Sequence, residues 1–312
     1  MGAARNLGLQ NATGDYIYFV DSDDYVPPKT IELLVKHMGS NPVIRGKIKN
    51  TYFSKSFVVI FEGLFKPKYY TDKRYNLIKN NSVVNFLFTK DFIKENRLVF
   101  SEQVEVFADL EFLIPALNAV EQVPFLKEAL YFKRKRNDPI SNPSLSQLDT
   151  TLKINDFLHV YNRLRDKYNT QALEEEFLDR QFLNFYRKDI VKLFEDNNMI
   201  DCYYDDLSEL SRKVNNNLIK EYDWPLRKEI RHLVNGDITR YKKVNNRHQF
   251  LRDFRQGLKT KRKFYRFLYK RCFMKMPIKD NFIFLESFLG KNYSDSPKYI
   301  YEYMIKNNMD YK

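Results

Sequence analysis

Hydrophobic and polar positions divide the chain into a front region with short apolar runs and a middle region with helical periodicity. Four consecutive β-formers at 17–20 predict a short, fully buried strand. Apolar residues then recur on one face of a predicted helix over 29–38. Similar patterns predict further elements: strands at 43–44, 56–61, 85–90 and from Tyr131, and helices from Asp91 and over 109–120. The front region is therefore α/β.

The middle region is predicted to be mainly helical. Leu, Phe and Tyr recur at helical spacing over 151–168 and 172–194. The acidic run Glu174–Glu176 is interpreted as a solvated first turn that suits the helix dipole. We predict no chemistry for this region. Near the end of the chain, residues 281–304 predict a strand, a turn at Gly290 and a helix.

Three carboxylates, Asp21, Asp23 and Asp24, directly follow the first predicted strand. In α/β folds, ligands bind beyond the carboxyl ends of strands. Carboxylates this close repel each other unless a cation or protons offset the charge. The cluster therefore predicts a hard divalent metal with a diphosphate as its cargo. A calcium EF-hand loop is excluded, because Tyr25 and Val26 occupy a ligand position and the obligatory glycine position.

Three spaced motifs surround this cluster: A-R-N-L-G from Ala4, A-T-G-D-Y-I from Ala12 and D-S-D-D-Y-V-P-P from Asp21. Together they resemble glycosyltransferase family 2, whose members are GT-A nucleotide-sugar enzymes. The resemblance implies that Asp21 and Asp23 hold Mg or Mn against the diphosphate of a nucleotide sugar, with Asp21 also near the ribose. It further implies that Arg5 contacts the donor. The metal would neutralise charge that grows on the departing nucleoside diphosphate.

The segment F-A-D-L-E-F over 107–112 resembles a second acidic motif of this family. Asp109 aligns with the residue that acts as catalytic base in inverting members. A base is needed because the acceptor hydroxyl must lose its proton as it attacks the sugar. The preceding residue is Ala108, where the family usually has Glu. A helix N-cap role for Asp109 is an equal and compatible alternative.

A basic stretch, Y-F-K-R-K-R-N, begins at Tyr131. It resembles a family element that precedes a mobile loop near the diphosphate. The resemblance implies donor contacts for Arg134 and Arg136, since the guanidinium fork is always charged and matches phosphate oxygens. A solvated basic turn is the alternative.

The motifs of the family that bind the nucleotide base, P-x-Y-N and D-D-G-S, do not occur in this sequence. We therefore expect residues 1–144 to be the C-terminal part of a Rossmann-like GT-A domain. On this expectation the GT-A domain is incomplete, and about half of the nucleotide pocket is missing from this chain.

Composition supports a folded protein and singles out one basic segment. The 312 residues are 43% hydrophobic and 16% aromatic, enough to build a core and about two domains. The 2 cysteines exclude a disulfide framework and fit a reducing cytoplasm. Neither a signal peptide nor a membrane-spanning apolar run is visible. The net charge of +13 is concentrated in residues 254–279, which hold ten Lys or Arg and no acid.

Aromatic residues alternate with these cations, so 254–277 predicts a basic aromatic amphipathic helix. Such a helix can lie in a membrane interface with its cations on anionic headgroups. The predicted headgroup contacts are Lys261, Arg262, Lys263, Arg266, Lys270 and Arg271. Nucleic-acid binding is disfavoured by the aromatic density and by the lack of a nucleic-acid fold signature. A basic face packed on its own domain and a solvated linker helix are the alternatives.

The series E-S-F-L-G-K-N-Y-S-D-S-P from Glu286 is similar to the opening of the CDP-glycerol glycerophosphotransferases that polymerise teichoic acid. The similarity covers 278–312 and implies the first βα unit of a GT-B domain. The whole chain is thus predicted to be α/β with four segments: GT-A over 1–144, a helical connector over 145–253, the basic helix over 254–277 and the GT-B opening over 278–312.

Taken together, the two resemblances imply one bifunctional cell-wall protein. It would transfer a sugar from a nucleotide-diphosphate donor to a teichoic-acid-type acceptor, a polyol phosphate or a glycan. We expect it in the cytoplasm, peripheral on the inner face of the cell membrane, with no nucleic-acid partner. The alternative is a catalytically incomplete module that docks a teichoic acid polymerase on the membrane.

Overall fold

A computed structural model describes residues 1–51, 65–78, 81–134, 150–277 and 282–309. The predicted strand at 56–61 and the predicted donor contact Arg136 lie outside the described residues. The chain forms two compact units, Met1–Asn246 and Arg247–Lys312. The four-segment division expected from the sequence stays a prediction.

A mixed five-stranded sheet organises the front of the first unit, in the order β1-β4-β2-β5-β3. The central pair β2 and β5 is parallel, and the other pairs are antiparallel. The strands are β1 Tyr16–Tyr18, β2 Val43–Thr51, β3 Lys68–Tyr70, β4 Phe86–Thr89 and β5 Val123–Arg134.

The first strand differs from the prediction of a fully buried strand at 17–20. β1 ends at Tyr18 and lies at the edge of the sheet, paired within the described residues with β4 alone. Ile17 is buried, whereas Tyr16 and Val20 are 42% and 50% exposed. The prediction of complete burial was wrong, because a run of β-formers does not reveal how many neighbours a strand has.

Helices cover both faces of the sheet. They are α1 Gly2–Asn11, α2 Thr30–Met38, α3 Lys90–Glu95 and α4 Ala108–Asn118. On one face, Leu34 and Met38 of α2 pack with Ile44, Leu87 and Leu126. The predicted helices over 29–38 and 109–120 are confirmed. The strand predicted to lead into a helix at Asp91 is confirmed as well, and the helix begins one residue earlier, at Lys90.

The helical region follows, and its core is continuous with the α4 face of the sheet. Its helices are α5 Thr150–Lys167, α6 Ala172–Phe185, α7 Val191–Leu193, α8 Asn197–Lys213, α9 Asn216–Ile219, α10 Trp224–Val234 and α11 Ile238–Gly257. The predicted helix over 172–194 is present, but a π-helical turn, Tyr186–Ile190, joins α6 to α7.

The interpretation of Glu174–Glu176 as a solvated turn was wrong for Glu174. Its side chain is buried, accepts a hydrogen bond from the Tyr75 hydroxyl and lies 3.6 Å from Arg74 Nη2. Tyr75 and Arg74 belong to a 3₁₀ turn, Arg74–Leu77, in the sheet part of the unit. An acidic run in the sequence does not reveal that one of its side chains packs against the sheet part of the unit.

The second unit contains α12 Lys261–Arg271, a 3₁₀ turn Phe273–Lys275 and α13 Asp295–Lys306. The predicted helix over 254–277 is broken, since α11 ends at Gly257 and the Thr260 hydroxyl caps α12 by accepting from the Lys263 amide. The predicted helix after Gly290 is confirmed as α13. Residues 282–289 form no strand. Among the helices given above, none has both the length and the hydropathy of a membrane span.

Candidate active site

The acidic loop after β1, Asp21–Asp24, is hydrogen-bonded to the last residues of β5. The buried Tyr131 hydroxyl accepts from the Asp21 amide at 3.1 Å and donates to Asp24 Oδ2 at 2.8 Å. Beyond the loop, Tyr25 and Phe132 form a two-way backbone bridge, and their rings stack 4.9 Å apart. The loop is thereby held at the end of the central parallel strands, where α/β folds place their ligands.

Asp24 closes this loop. Its Oδ1 accepts from the Arg134 amide at 2.8 Å, and its amide donates to the Asp21 carbonyl oxygen. Burial raises the pKa of Asp24, and the hydrogen bonds from the Arg134 amide and the Tyr131 hydroxyl offset part of that rise. Both oxygens of Asp24 are thus engaged by β5, so Asp24 positions the loop.

Arg5 joins the two acidic motifs that lie far apart in the sequence. Its Nη2 donates to Asp21 Oδ1 at 3.0 Å, and its Nη1 donates to Asp109 Oδ1. The guanidinium also lies 5.3 Å from the centre of the Phe100 ring. The A-R-N, D-S-D-D and F-A-D motifs therefore meet at one point.

Helix α1 is fixed so that Arg5 reaches this point. The Asn6 side chain donates to the Phe100 carbonyl at 2.9 Å and accepts from the Phe100 amide at 2.8 Å. Gly2 is buried, and a Cβ there would lie 1.9 Å from the Ser101 carbonyl oxygen. Because this approach admits no side chain, the glycine sets how closely α1 packs on the loop before α4.

Asp109 is a buried carboxylate with two partners on different elements. Its Oδ1 accepts from Arg5, and its Oδ2 accepts from the Val83 amide at 2.9 Å. Burial raises the pKa of Asp109, while Arg5 and the Val83 amide lower it and the charge of Asp21 raises it. The N-cap alternative was wrong, since Phe107 holds the cap position and Asp109 lies inside the first turn of α4.

Lys133 is a cation of the site that sequence reasoning missed. Its Nζ lies 3.7 Å from Asp21 Oδ2. The two-residue period of β5 places Tyr131 and Lys133 on one face, and this signal could have identified both. Arg134, the predicted donor contact, is exposed at its side chain and contacts the acidic loop through its main-chain amide. Its role toward a donor stays a prediction.

The acids of the site can hold a divalent metal if a phosphate ligand joins them. No group of three or more His, Cys, Asp or Glu side chains with ligating geometry occurs among the described residues. The carboxylates predicted to hold the metal are those of Asp21 and Asp23. One or two carboxylates together with substrate phosphates are the usual environment of Mg²⁺ in nucleotide enzymes. The residues present fit that arrangement.

The predicted headgroup contacts lie in the second unit. Lys261, Arg262, Lys263 and Arg266 are exposed on α12. Lys270 and Arg271 instead pair with Asp253, at 3.4 and 3.0 Å. Phe267 packs on Phe250 and Phe254 of α11. Four further aromatic side chains of this segment stay exposed, namely Phe264, Tyr265, Tyr269 and Phe273.

Comparison with known proteins finds a family match at each end of the chain. Residues 1–96 match the family model of glycosyl transferase family 2. Residues 268–312 match the model of CDP-Glycerol:Poly(glycerophosphate) glycerophosphotransferase. Both resemblances inferred from the sequence are confirmed. Asp109 lies beyond the family 2 match, so its place in the site rests on its contacts with Arg5 and the Val83 amide.

Two curated relatives match longer stretches of the chain than the family model does. The teichoic acid poly(glycerol phosphate) polymerase of Staphylococcus epidermidis is 24% identical over 314 residues, which cover 99% of this chain and 43% of that protein. The uncharacterized glycosyltransferase EpsJ of Bacillus subtilis is 27% identical over 151 residues, 45% of this chain and 44% of EpsJ. The chain thus spans less than half the length of these curated relatives.

Solved structures share the fold of this chain. S. aureus TarS 1-349 in complex with UDP-GlcNAc has a TM-score of 0.60 at 17% identity, covering 80% of this chain and 72% of that one. The complex of the same protein with UDP has a TM-score of 0.59. The expected α/β fold, a GT-A domain followed by a helical region, is confirmed.

Proposed function

We propose that this chain is the family 2 glycosyltransferase part of a cell-wall enzyme. It would transfer a sugar from a nucleotide-diphosphate donor to a teichoic-acid-type acceptor. The observation that carries the proposal is the bridge made by Arg5 between Asp21 and Asp109. This bridge brings a donor-side acid and a buried base candidate together at one cation.

Asp21 and Asp23 are the residues that would hold Mg or Mn with the donor diphosphate. When bound, the cation neutralises charge on the departing nucleoside diphosphate. Arg5 and Lys133 are placed beside Asp21, so their charges add to this electrostatic stabilisation. TarS, a structural neighbour, has been solved with UDP-GlcNAc and with UDP, which supports a nucleotide-sugar donor here.

Asp109 is the proposed general base. Its carboxylate takes the proton of the acceptor hydroxyl while that oxygen attacks the anomeric carbon, and the bond from this carbon to the diphosphate oxygen breaks. We expect inversion at the anomeric carbon, as in the inverting members of family 2. A carboxyl pKa raised by burial suits this role, because a base works best when its pKa lies near the working pH.

Matches to known proteins and the basic helix α12 support a proposal for the acceptor and for the location in the cell. Similarity to a teichoic acid polymerase, together with the glycerophosphotransferase match at 268–312, supports a polyol-phosphate or glycan acceptor and a parent protein with both activities. We further propose a cytoplasmic protein that docks on the inner face of the membrane through α12. Arg262, Lys263 and Arg266 occupy its cationic face, and exposed aromatic residues occupy other positions of the same helix.

Titration calorimetry with UDP-GlcNAc, with and without Mn²⁺, tests this function. We expect Mn²⁺-dependent binding that Asp23→Asn weakens and that Asp91→Asn, a change at an exposed acid of α3, leaves intact. Asp109→Asn should keep donor binding but lower the turnover of sugar onto poly(glycerol phosphate) by roughly 10²- to 10⁴-fold. Absence of metal-dependent binding in the unaltered chain would favour a docking module without catalysis.

A further inference from the structure

The helical region contributes a carboxylate to the loop that presents Asp109. Asp156 of α5 is buried, and its Oδ2 accepts hydrogen bonds from two successive main-chain amides, those of Glu105 at 2.9 Å and Val106 at 2.8 Å. Val106 precedes Asp109 by three residues. Charged acceptors make stronger hydrogen bonds than neutral ones, so this oxygen fixes the direction of the chain as it enters α4.

The residues next to Asp156 and Val106 reinforce the contact. Phe107 adopts a left-handed conformation with a φ of 67°, which an aromatic residue rarely takes. Its ring packs edge-on against Phe157, the neighbour of Asp156, at 5.3 Å and against Phe185 at 5.7 Å. A conformation of this kind persists only when the surroundings determine it, and here α5 and α6 supply those surroundings.

An ion pair also links α5 to α4 on the far side of Asp109. Arg163 Nη1 of α5 lies 3.3 Å from Glu111 Oε1 of α4. Helix α5 thus contacts the chain both before and after Asp109. None of these contacts involves the Asp21–Asp24 loop. Helix α5 therefore supports the part of the site that contains Asp109, whereas β5 supports the Asp21–Asp24 loop.

We propose that Asp156 is a positioning residue for Asp109, and that the helical region is thereby an integral part of the transferase site. The inference rests on the proposed function of Asp109 as general base. A base that is displaced by about 1 Å can cost on the order of 10²-fold in rate even when substrate binding is preserved. Loss of Asp156 should therefore lower kcat and leave the donor KM nearly unchanged.

A double-mutant cycle separates positioning from general destabilisation. Asp156→Ala should reduce kcat by roughly 10²-fold in the unaltered chain and have little further effect in the Asp109→Asn background, because residues that act as a unit are not additive. Asp156→Asn, which keeps an acceptor oxygen without the charge, should lie between. Asp166→Ala is the matched control, since Asp166 is on the same helix, 64% exposed at its side chain and paired with Lys213. Equal losses of kcat in both backgrounds would overturn the proposal.

Amide hydrogen exchange gives a readout that does not depend on turnover. We expect the amides of Glu105 and Val106 to exchange faster in Asp156→Ala and Asp156→Asn, with no such change in Asp166→Ala. Unchanged exchange at these two amides would overturn the positioning role, whatever the activity. If the unaltered chain neither binds UDP-GlcNAc nor turns it over while the exchange result holds, the proposed function fails and the loop contact stands. If Asp156→Ala does not fold, Asp156→Asn carries the same test.

Discussion

At the scale of single residues, the site depends on how Arg5 divides its charge between two acids. Its guanidinium donates to one oxygen of Asp109, and the other oxygen accepts a hydrogen bond from the Val83 main-chain amide. Burial alone would push the carboxyl strongly toward its neutral form. Arg5 opposes burial, yet the pKa of Asp109 remains above its ordinary value. The two largest influences on the pKa of the base are therefore desolvation, which raises it, and the charge of Arg5, which lowers it.

Replacing Arg5 should shift the ionisation of Asp109. Arg5→Met removes the main charge that lowers the pKa of Asp109, so that pKa rises further. Because a general base must be deprotonated, the acidic limb of the kcat/KM profile should move to higher pH. A carboxyl with a raised folded-state pKa stabilises the fold fully below its unfolded value, and this contribution is lost as pH rises through the folded value. Urea unfolding should thus show a steeper loss of stability from acid to neutral pH in Arg5→Met.

The control for Arg5 is Arg187→Met, because Arg187 forms an exposed ion pair with Asp223. Exposed pairs contribute little, so this variant should follow the unaltered chain across the pH range. An acidic limb that does not move in Arg5→Met would contradict the assignment of Asp109 as the titrating base.

At the scale of elements, α12 carries a specific expectation about membranes. Arg262 and Arg266 are spaced by one helical turn, with Lys263 beside them, and all three are exposed. Lys270 and Arg271 are less available, since both pair with Asp253. We therefore expect the cations in the N-terminal turns of α12 to provide most of the membrane affinity that was predicted for all six.

Vesicle flotation tests this expectation. The triple change Arg262→Gln, Lys263→Gln and Arg266→Gln should weaken binding to vesicles rich in phosphatidylglycerol by roughly 10²-fold, at about 1 kcal/mol for each cation near an anionic surface. Binding to neutral phosphatidylcholine vesicles should be weak for every variant. The control removes the same charge elsewhere, through Lys188→Gln, Lys192→Gln and Lys243→Gln, all at exposed positions. Equal flotation of the two triple variants would refute docking through α12.

At the scale of the whole molecule, local sequence patterns predicted the individual motifs of the site but not the contacts between them. The Asp cluster, the A-R-N helix and the amphipathic helices are visible because their signals lie within a few neighbouring residues. The contact of Arg5 with Asp109 spans 104 positions, and that of Tyr131 with Asp24 spans 107. Such contacts depend on strand order and helix packing, which periodicity does not encode. For the same reason the helical region seemed to lack chemistry, although Asp156 contacts the loop before Asp109.

The sheet and the helical region should unfold together, and Glu174 tests this. Glu174 of α6 accepts a hydrogen bond from the Tyr75 hydroxyl and forms an ion pair with Arg74. The Arg74 Nε in turn donates to the Leu117 carbonyl of α4. Glu174→Ala leaves the Tyr75 hydroxyl without its acceptor and the largely buried Arg74 guanidinium without its counter-charge. We expect this loss to cost about 3 kcal/mol in the free energy of unfolding. Glu176→Ala, on the same helix but 56% exposed in its pair with Arg180, should cost less than about 1 kcal/mol.

Urea unfolding followed by both tyrosine fluorescence and circular dichroism measures the difference. Similar costs for the two variants, or separate transitions for the two probes in the unaltered chain, would show that the helical region is not coupled to the sheet through this contact.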